Sequence, residues 1–159
     1  MDIASTLMGL GLLLMFVAPV GFMVYNQANK EKKRTKKLAF LAGKNGYRLD
    51  ETENLQGLSL ALDRSARKFF LLRSGDKAEL QTLDLSNITK IDLLKVDEDG
   101  HNTSSLDEIR EIALVIKGVD HPDKKLIFYA EEEDPVTQKT ERLDKAIKWQ
   151  KSLQKHSRK

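Results

Sequence analysis

The chain has 159 residues, a formal net charge of +3 and no cysteine. Disulfide frameworks, thiolate metal sites and cysteine nucleophiles are therefore excluded, because each of them requires cysteine. The charge is unevenly distributed: residues 38–134 carry thirteen basic against twenty acidic residues, a net charge of −7, and basic residues dominate the segments on either side. Taken over the whole chain, a pI near 9.0 would suggest that the protein binds nucleic acid. Read by segment, the charge favours a membrane surface instead.

The N-terminal segment is an uncharged, mostly apolar run over residues 3–25. As a helix rising about 1.5 Å per residue, the run is long enough to cross a hydrocarbon core of about 30 Å. The sequence therefore predicts a transmembrane anchor over residues 1–25. The main alternative is a cleaved signal peptide, which needs a positively charged start and a shorter apolar run. The first two residues here are Met1 and Asp2, so an uncleaved anchor is favoured.

A basic segment over residues 26–46 follows the predicted anchor and has the composition of a helix. Six basic side chains fall within eight positions of this segment: Lys30, Lys32, Lys33, Arg34, Lys36 and Lys37. By the positive-inside rule, this cluster predicts a single-pass protein of the cell membrane with its N-terminus outside and its C-terminal domain cytoplasmic. The same six side chains are predicted to contact the membrane surface, which makes the lipid bilayer the first expected partner.

The middle segment, residues 47–134, has the periodicity of strands rather than helices. Alternating or continuous apolar runs begin near Tyr47, Leu58, Phe69, Leu80, Ile88, Ile109 and Leu126. They predict about seven strands, joined by short turns and by one polar loop at residues 97–105. Residues 50–56 are interpreted as an acidic hairpin loop. Because no helix interrupts the strands, a meandering antiparallel sheet or barrel is expected.

The C-terminal segment, residues 135–159, is predicted to be an amphipathic helix. Asp134 is predicted as its N-cap, and Pro135 suits the first helical position. Four apolar residues form a stripe at helical spacing, with Ala146 and Trp149 beside it: Val136, Leu143, Ile147 and Leu153. Lysines cover the opposite face.

The order of seven antiparallel strands and one C-terminal helix is similar to that of pleckstrin-homology-like (PH-like) domains. The stretches SLALDRSARKFFLL, LQTLDLSNITKIDLLKV, EIALVIKG and KLIFYAEEE, with the helix that carries Trp149, resemble uncharacterised bacterial single-span membrane proteins with such a domain. The resemblance implies an N-terminal transmembrane α-helix and a mainly β α+β domain, a seven-stranded antiparallel barrel capped by the C-terminal helix. Lipid-binding PH domains have a basic first hairpin loop. Residues 50–56 are acidic, which disfavours an anionic headgroup there.

No catalytic, cofactor-binding or metal-binding residue is predicted. His101, His121 and His156 are not spaced as metal ligands, and residues 95–106 do not fit a calcium loop, which needs an acid at Lys95 and a glutamate at Leu106. We therefore expect a non-enzymatic, membrane-anchored interaction module that binds a protein partner or serves as a subunit of a membrane complex. A sensor of anionic lipid surfaces is the alternative, followed by a membrane-bound enzyme. Nucleic acid is not an expected partner, because the basic segments lack interleaved aromatic residues, and no small-molecule substrate is identified.

Overall fold

The computed structural model describes residues 3–55, 57–73, 80–119 and 122–157. The predicted turn at residues 74–76 and His121 lie outside the described residues. Helix α1 spans Ile3–Lys44 and helix α2 spans Lys139–Ser157. Between them the described chain forms β1 (Glu51–Leu55), β2 (Leu58–Asp63), β3 (Lys68–Arg73), β4 (Leu80–Asp84), β5 (Ile88–Val96), β6 (Glu111–Gly118) and β7 (Lys124–Ala130). Short 3-10 turns lie at Leu85–Asn87 and Val136–Gln138.

The strands form two antiparallel sheets. Sheet A has the order β1-β2-β3-β4 and sheet B has the order β5-β6-β7. Neighbours in each sheet are consecutive in the chain, so every connection is a local one. A bulge in the β6–β7 pairing adds one residue to β7 between Ile127 and Tyr129.

The main core lies between the two sheets and α2. Alternation along β2 and β3 turns Leu60, Leu62, Phe69 and Leu71 towards sheet B, since successive side chains of a strand point to opposite faces. Helix α2 contributes three buried residues, Ala146, Trp149 and Leu153. The rings of Trp149 and Phe69 have their centroids 5.7 Å apart, which joins the helix to the middle of sheet A.

A second, smaller core covers the outer face of sheet A. The last turns of α1 bury Leu38 and Ala42 against Ala61, Phe70 and Leu72, which point away from sheet B. Strands β2 and β3 are therefore buried on both faces, which explains why LSLALD and KFFLLR read as almost continuous apolar runs.

The predicted closed barrel is wrong, because no strand pairing joins the two sheets within the described residues. Side chains of α2 satisfy strand edges where a barrel would need another strand. The amides of Gln150 and Gln154 donate to the Ile91 carbonyl of β5, both at 3.1 Å. On β1, Ser152 Oγ donates to Glu51 Oε1 at 2.9 Å. Helix α2 therefore links two open sheets. The resemblance to PH-like domains implied instead that this helix caps a closed barrel.

The predicted transmembrane anchor is also corrected. Among the described residues, no helix combines the length and the apolar character needed to cross a membrane. Helix α1 has no break near residue 25 and continues to Lys44. The predicted anchor over residues 1–25 and the predicted single-pass location with a cytoplasmic domain are therefore wrong.

Strand β1 lies where an acidic loop was predicted. Glu51–Leu55 pairs with β2, whereas Tyr47 and Leu49 pack beside the α1 core instead of starting a strand. The acids are tolerated because each has a partner: Glu51 accepts hydrogen bonds from Arg64 and Ser152, and Glu53 lies 3.2 Å from Lys145. Partial burial opposes ionisation of Glu51, but these hydrogen bonds outweigh it and lower its pKa.

The start of the C-terminal helix also differs from the prediction. Pro135 precedes a 3-10 turn, and α2 begins at Lys139. Asp134 does not cap the helix; its Oδ2 accepts a hydrogen bond from the Ala130 amide at 3.0 Å, at the end of β7. Of the predicted stripe, Leu143 packs on the core and Leu153 is fully buried, whereas Val136 is exposed.

Candidate functional site

The six predicted surface-contact residues all belong to α1. The side chains of Lys32, Lys33, Lys36 and Lys37 are exposed and that of Arg34 is half-buried, whereas the side chain of Lys30 lies outside the described set. The five described side chains make no ion pair with any described residue. They form a basic surface at the point where α1 approaches sheet A. The concavities formed by the described residues are lined by other side chains.

A groove lies at the open edge of the sandwich, between the ends of β2 and β3 in sheet A and strand β7 in sheet B. We call it the edge groove and define it by seven residues: Leu55, Leu58, Leu71, Arg73, Lys124, Leu126 and Phe128. The part of the groove that Gln81 and Lys125 also line encloses about 190 Å³, and the adjoining part beside Gly57 and Asp134 encloses about 470 Å³. The smaller part has room for one large apolar side chain, and the larger part lies within the range of small-molecule sites, about 300–1,000 Å³.

The floor of the edge groove is apolar because of strand register. Leu58 follows the same face of β2 as the core residues Leu60 and Leu62, and Leu71 follows the same face of β3 as Phe69. Leu126 and Phe128 supply the floor from β7 and are nearly fully buried. The groove is therefore the place where the main core reaches the surface.

The rim of the edge groove is basic. Register places Arg73 opposite Leu58, on the inner face of sheet A where the two sheets diverge. Lys124 Nζ donates to Gln81 Oε1 at 2.9 Å, so it bridges from β7 to β4. Lys125, by contrast, lies 2.7 Å from Glu111 and is neutralised by it.

Strand β7 is an edge strand, and within the described residues no further strand lies beside it. Only the end of this edge is capped, where Asp134 accepts from the Ala130 amide. Ile127, near the middle of β7, leaves 47% of its surface exposed. The neighbouring β1–β2 turn contains Gly57 at φ 73°, in the left-handed region that favours glycine. The edge groove therefore combines an apolar floor with an unpaired strand edge.

A second concavity, of about 370 Å³, lies between β1 and the start of α2 and is lined by polar side chains. Lys145 spans it, 3.2 Å from Glu53 and 2.9 Å from Glu141. Burial opposes the charged form of Lys145, but the hydrogen bonds to Glu141 and Glu53 outweigh it and raise its pKa. Because its charges neutralise one another, this cleft joins α2 to sheet A and offers little to a ligand.

A buried polar cluster lies behind the edge groove, at the end of β7. Lys139 Nζ stands 5.6 Å from the centre of the Tyr129 ring and 3.9 Å from Glu131. Arg142 lies 3.8 Å from Asp134. Burial raises the pKa of Tyr129, and the carboxylates of Glu131 and Asp134 raise it further. The cluster fixes the turn between β7 and α2. In the described parts of the chain, no three His, Cys, Asp or Glu residues are grouped to hold a metal.

The edge groove was not predicted from the sequence. Arg73, Lys124 and Leu126 are ordinary strand residues in the linear chain, and only the packing of sheet A on sheet B brings them together. The one usable signal was that Leu58 and Leu71 continue core-facing patterns to the ends of their strands. That pattern marks an apolar face without showing whether another element covers it.

No protein-family model matches the chain, and neither a curated protein nor a solved structure is significantly similar to it. The resemblance to PH-like domains therefore stays a prediction. The function has to be argued from the geometry of the chain itself.

Proposed function

We propose that the protein is a non-catalytic interaction module that holds an extended segment of a partner protein in the edge groove. The observation that carries the proposal is the position of the unpaired β7 edge directly beside an apolar floor. An exposed sheet edge offers main-chain hydrogen-bonding groups that pair with any extended chain. An apolar floor next to it selects among such chains by their side chains.

Strand addition to β7 accounts for both features of the groove, the unpaired strand edge and the apolar floor. The partner's main chain would extend sheet B beyond β7. Its alternate side chains would point inwards, because side chains of a strand alternate in direction. One large apolar side chain would fill the space over Leu58, Leu71 and Leu126, which encloses about 190 Å³. Such a buried anchor is the usual source of most of the binding energy at an interface.

The residues that line the groove support binding rather than chemistry. They are leucines, Gly57, Ile127, Phe128, Gln81, three basic residues and two acidic ones. No serine, threonine, cysteine or histidine is among these residues, so the lining lacks a hydroxyl or thiol nucleophile with an imidazole base beside it. The acidic Asp134 is already engaged with the Ala130 amide.

The proposal is tested by selecting peptides that bind the chain and then mapping where they bind. Random nine-residue peptides displayed on phage are selected against the full chain, and hydrogen exchange is measured with and without an enriched peptide. We expect slower exchange of the amides in residues 124–130, because strand addition gives the free edge new hydrogen-bond partners. Unchanged exchange in β7 with every enriched peptide would overturn the proposal.

A matched pair of variants accompanies the mapping. Ile127→Glu places a charge on the exposed part of β7 beside the groove, and we expect it to weaken peptide binding about tenfold or more. Val119→Glu makes the same change at a residue 74% exposed in the turn before β7, outside the groove lining, and should leave binding unchanged. Equal losses in both variants would contradict the assignment to the groove.

A second candidate function is adhesion of the basic α1 surface to anionic lipid headgroups. It is favoured by the exposed, unpaired side chains of Lys32, Lys33, Lys36 and Lys37. Each basic residue near an anionic surface contributes about 1 kcal/mol, and salt weakens this attraction.

Vesicle sedimentation tests this candidate with the full chain. Vesicles of phosphatidylcholine with phosphatidylserine are compared with vesicles of phosphatidylcholine alone. We expect phosphatidylserine to increase binding, and the increase to disappear in a variant with all four lysines changed to glutamine. A matched control changes Lys90, Lys95, Lys117 and Lys151, which lie outside α1. An increase that survives the α1 changes would exclude the basic surface as its cause.

A further inference from the structure

Among the described residues, no acidic side chain forms an ion pair with either of the two rim cations of the edge groove. Within the described residues, Arg73 is exposed and makes no ion pair, and Lys124 donates to the neutral Gln81. Three neighbouring cations differ. Lys125 lies 2.7 Å from Glu111, Lys139 lies 3.9 Å from Glu131, and Lys145 touches two glutamates. Of the three cations that line the groove, the two without an acidic partner among the described residues therefore lie at one end of it.

Strand register places the two cations next to each other. Leu71 pairs with Gln81 across β3 and β4, and Arg73 is two residues further along the same face of β3. Diagonal neighbours of this kind lie about 7–8 Å apart, within reach of a long side chain. Lys124 reaches the same Gln81 from the opposite sheet at 2.9 Å. Arg73 and Lys124 thus flank one entrance of the apolar floor.

We infer that the partner segment held by the edge groove is acidic, with a carboxylate beside its apolar anchor that pairs with Arg73 and Lys124. The inference rests on the proposed function and adds the chemistry of its ligand. A carboxylate at this entrance meets two cations at the edge of an apolar surface, where ion pairs are screened less than in open water. A guanidinium can also hold a carboxylate through two parallel hydrogen bonds.

Charge complementarity also selects against other segments. A basic segment would bring like charges together at the same entrance, which is unfavourable and slows association. A neutral segment would fill the floor but leave Arg73 without a partner. The groove therefore selects among partner segments by the charge of one residue, in addition to the size of the segment's apolar anchor.

The experiment begins with the peptides enriched from the random library. We expect Asp or Glu to be enriched next to a large apolar residue. One acidic peptide is then titrated against the full chain, together with versions that carry Gln or Lys in place of the acidic residue. We expect the Gln version to bind roughly five- to tenfold more weakly and the Lys version more weakly still, with the acidic peptide losing affinity as salt is added.

Charge reversal at the rim provides the decisive comparison. Arg73→Glu places a carboxylate beside Lys124 and makes the entrance nearly neutral, so it should abolish the preference for the Glu peptide over the Lys peptide. Arg48→Glu is the matched control, because Arg48 is also an exposed arginine but lies outside the groove. It should preserve the preference of the wild type. Retention of the acidic preference in Arg73→Glu would overturn the inference.

The other outcomes separate the inference from the proposed function. Peptides that protect β7 from exchange without any preference for acidic residues would overturn the inference and leave the proposed function standing. Absence of any peptide that protects β7 would overturn both. Protection of β7 that rises with protein concentration and needs no peptide would identify a second copy of the chain as the occupant, and would also overturn the inference. Sedimentation velocity detects that case.

Discussion

At the scale of single residues, Arg67 combines an uncommon backbone conformation with side-chain hydrogen bonds to the end of α2. It closes the turn between β2 and β3 with a positive φ of 53°, which is uncommon for a residue other than glycine. Its guanidinium donates from Nε to the His156 carbonyl at 2.8 Å and from Nη2 to the Ser157 carbonyl at 3.1 Å. The carbonyls of the last helical turn lack partners within the helix and carry partial negative charge. Arg67 therefore fixes the end of α2 to sheet A.

Two substitutions at Arg67 separate the role of its side chain from that of its backbone. Arg67→Ala removes the hydrogen bonds and keeps the unfavourable φ, so we expect it to lower the free energy of unfolding by about 1–2 kcal/mol. Arg67→Gly removes the same bonds but adopts positive φ without strain, so it should be the less destabilised of the two. Urea unfolding of both variants checks the order. A more stable Ala variant would contradict the strain argument.

At the scale of elements, the last turns of α1 are part of the folded domain. They bury Leu38 and Ala42 on the outer face of sheet A, where Ala61 and Phe70 meet them. Thr35 accepts a hydrogen bond from Asn54 of β1 at 2.8 Å, which fixes the helix against the edge of the sheet. The segment predicted as a basic helix over residues 26–46 forms the end of the continuous helix α1, which reaches Lys44 and has one face basic and the other packed.

Leu38 and Phe40 provide a matched pair for this packing. Leu38 is 1% exposed and Phe40, on the opposite face of the same helix, is 69% exposed. We expect Leu38→Ala to lower the free energy of unfolding by about 2–4 kcal/mol, because it leaves a cavity in the second core. Phe40→Ala should change it by less than about 0.5 kcal/mol. Trp149 is the only tryptophan and is buried in the main core, so its fluorescence follows unfolding in urea. Equal effects would show that α1 does not dock.

At the scale of the whole molecule, the two cores share β2 and β3. Phe69 and Leu71 point into the main core, whereas Phe70 and Leu72 point into the core under α1. Helix α2 packs on sheet B and hydrogen-bonds to β1 and β5 through Ser152 and Gln150, and within the described residues no strand pairs with the free edge of β7. The edge groove follows from this arrangement, because the single helix α2 packs against two sheets and cannot cover every strand edge.

The sequence predicted the periodic elements well. It predicted poorly the positions whose structure depends on a partner that is distant in the chain or on another element. Runs such as Leu58–Asp63 and Ile88–Val96 were placed correctly because strand periodicity is a local property of the chain. β1 was missed because Glu51 and Glu53 look unsuited to a strand until Arg64 and Lys145 are seen beside them. Asp134 was assigned to the helix because its real partner, the Ala130 amide, is displayed only by the end of β7. In each case a tertiary partner reversed a local preference.

By itself, the sequence determined the antiparallel order of the strands, the helix at the C-terminus, the excess of basic residues on α1 and the lack of any cysteine chemistry. These properties depend on neighbours in the chain, through periodicity and composition. Tertiary structure alone decided that the sheets stay open, that α1 packs on sheet A, and that Arg73 and Lys124 line one groove with an apolar floor. Those features join residues as far apart in the chain as Leu58 and Leu126, and their energies depend on burial and distance, which no local pattern records.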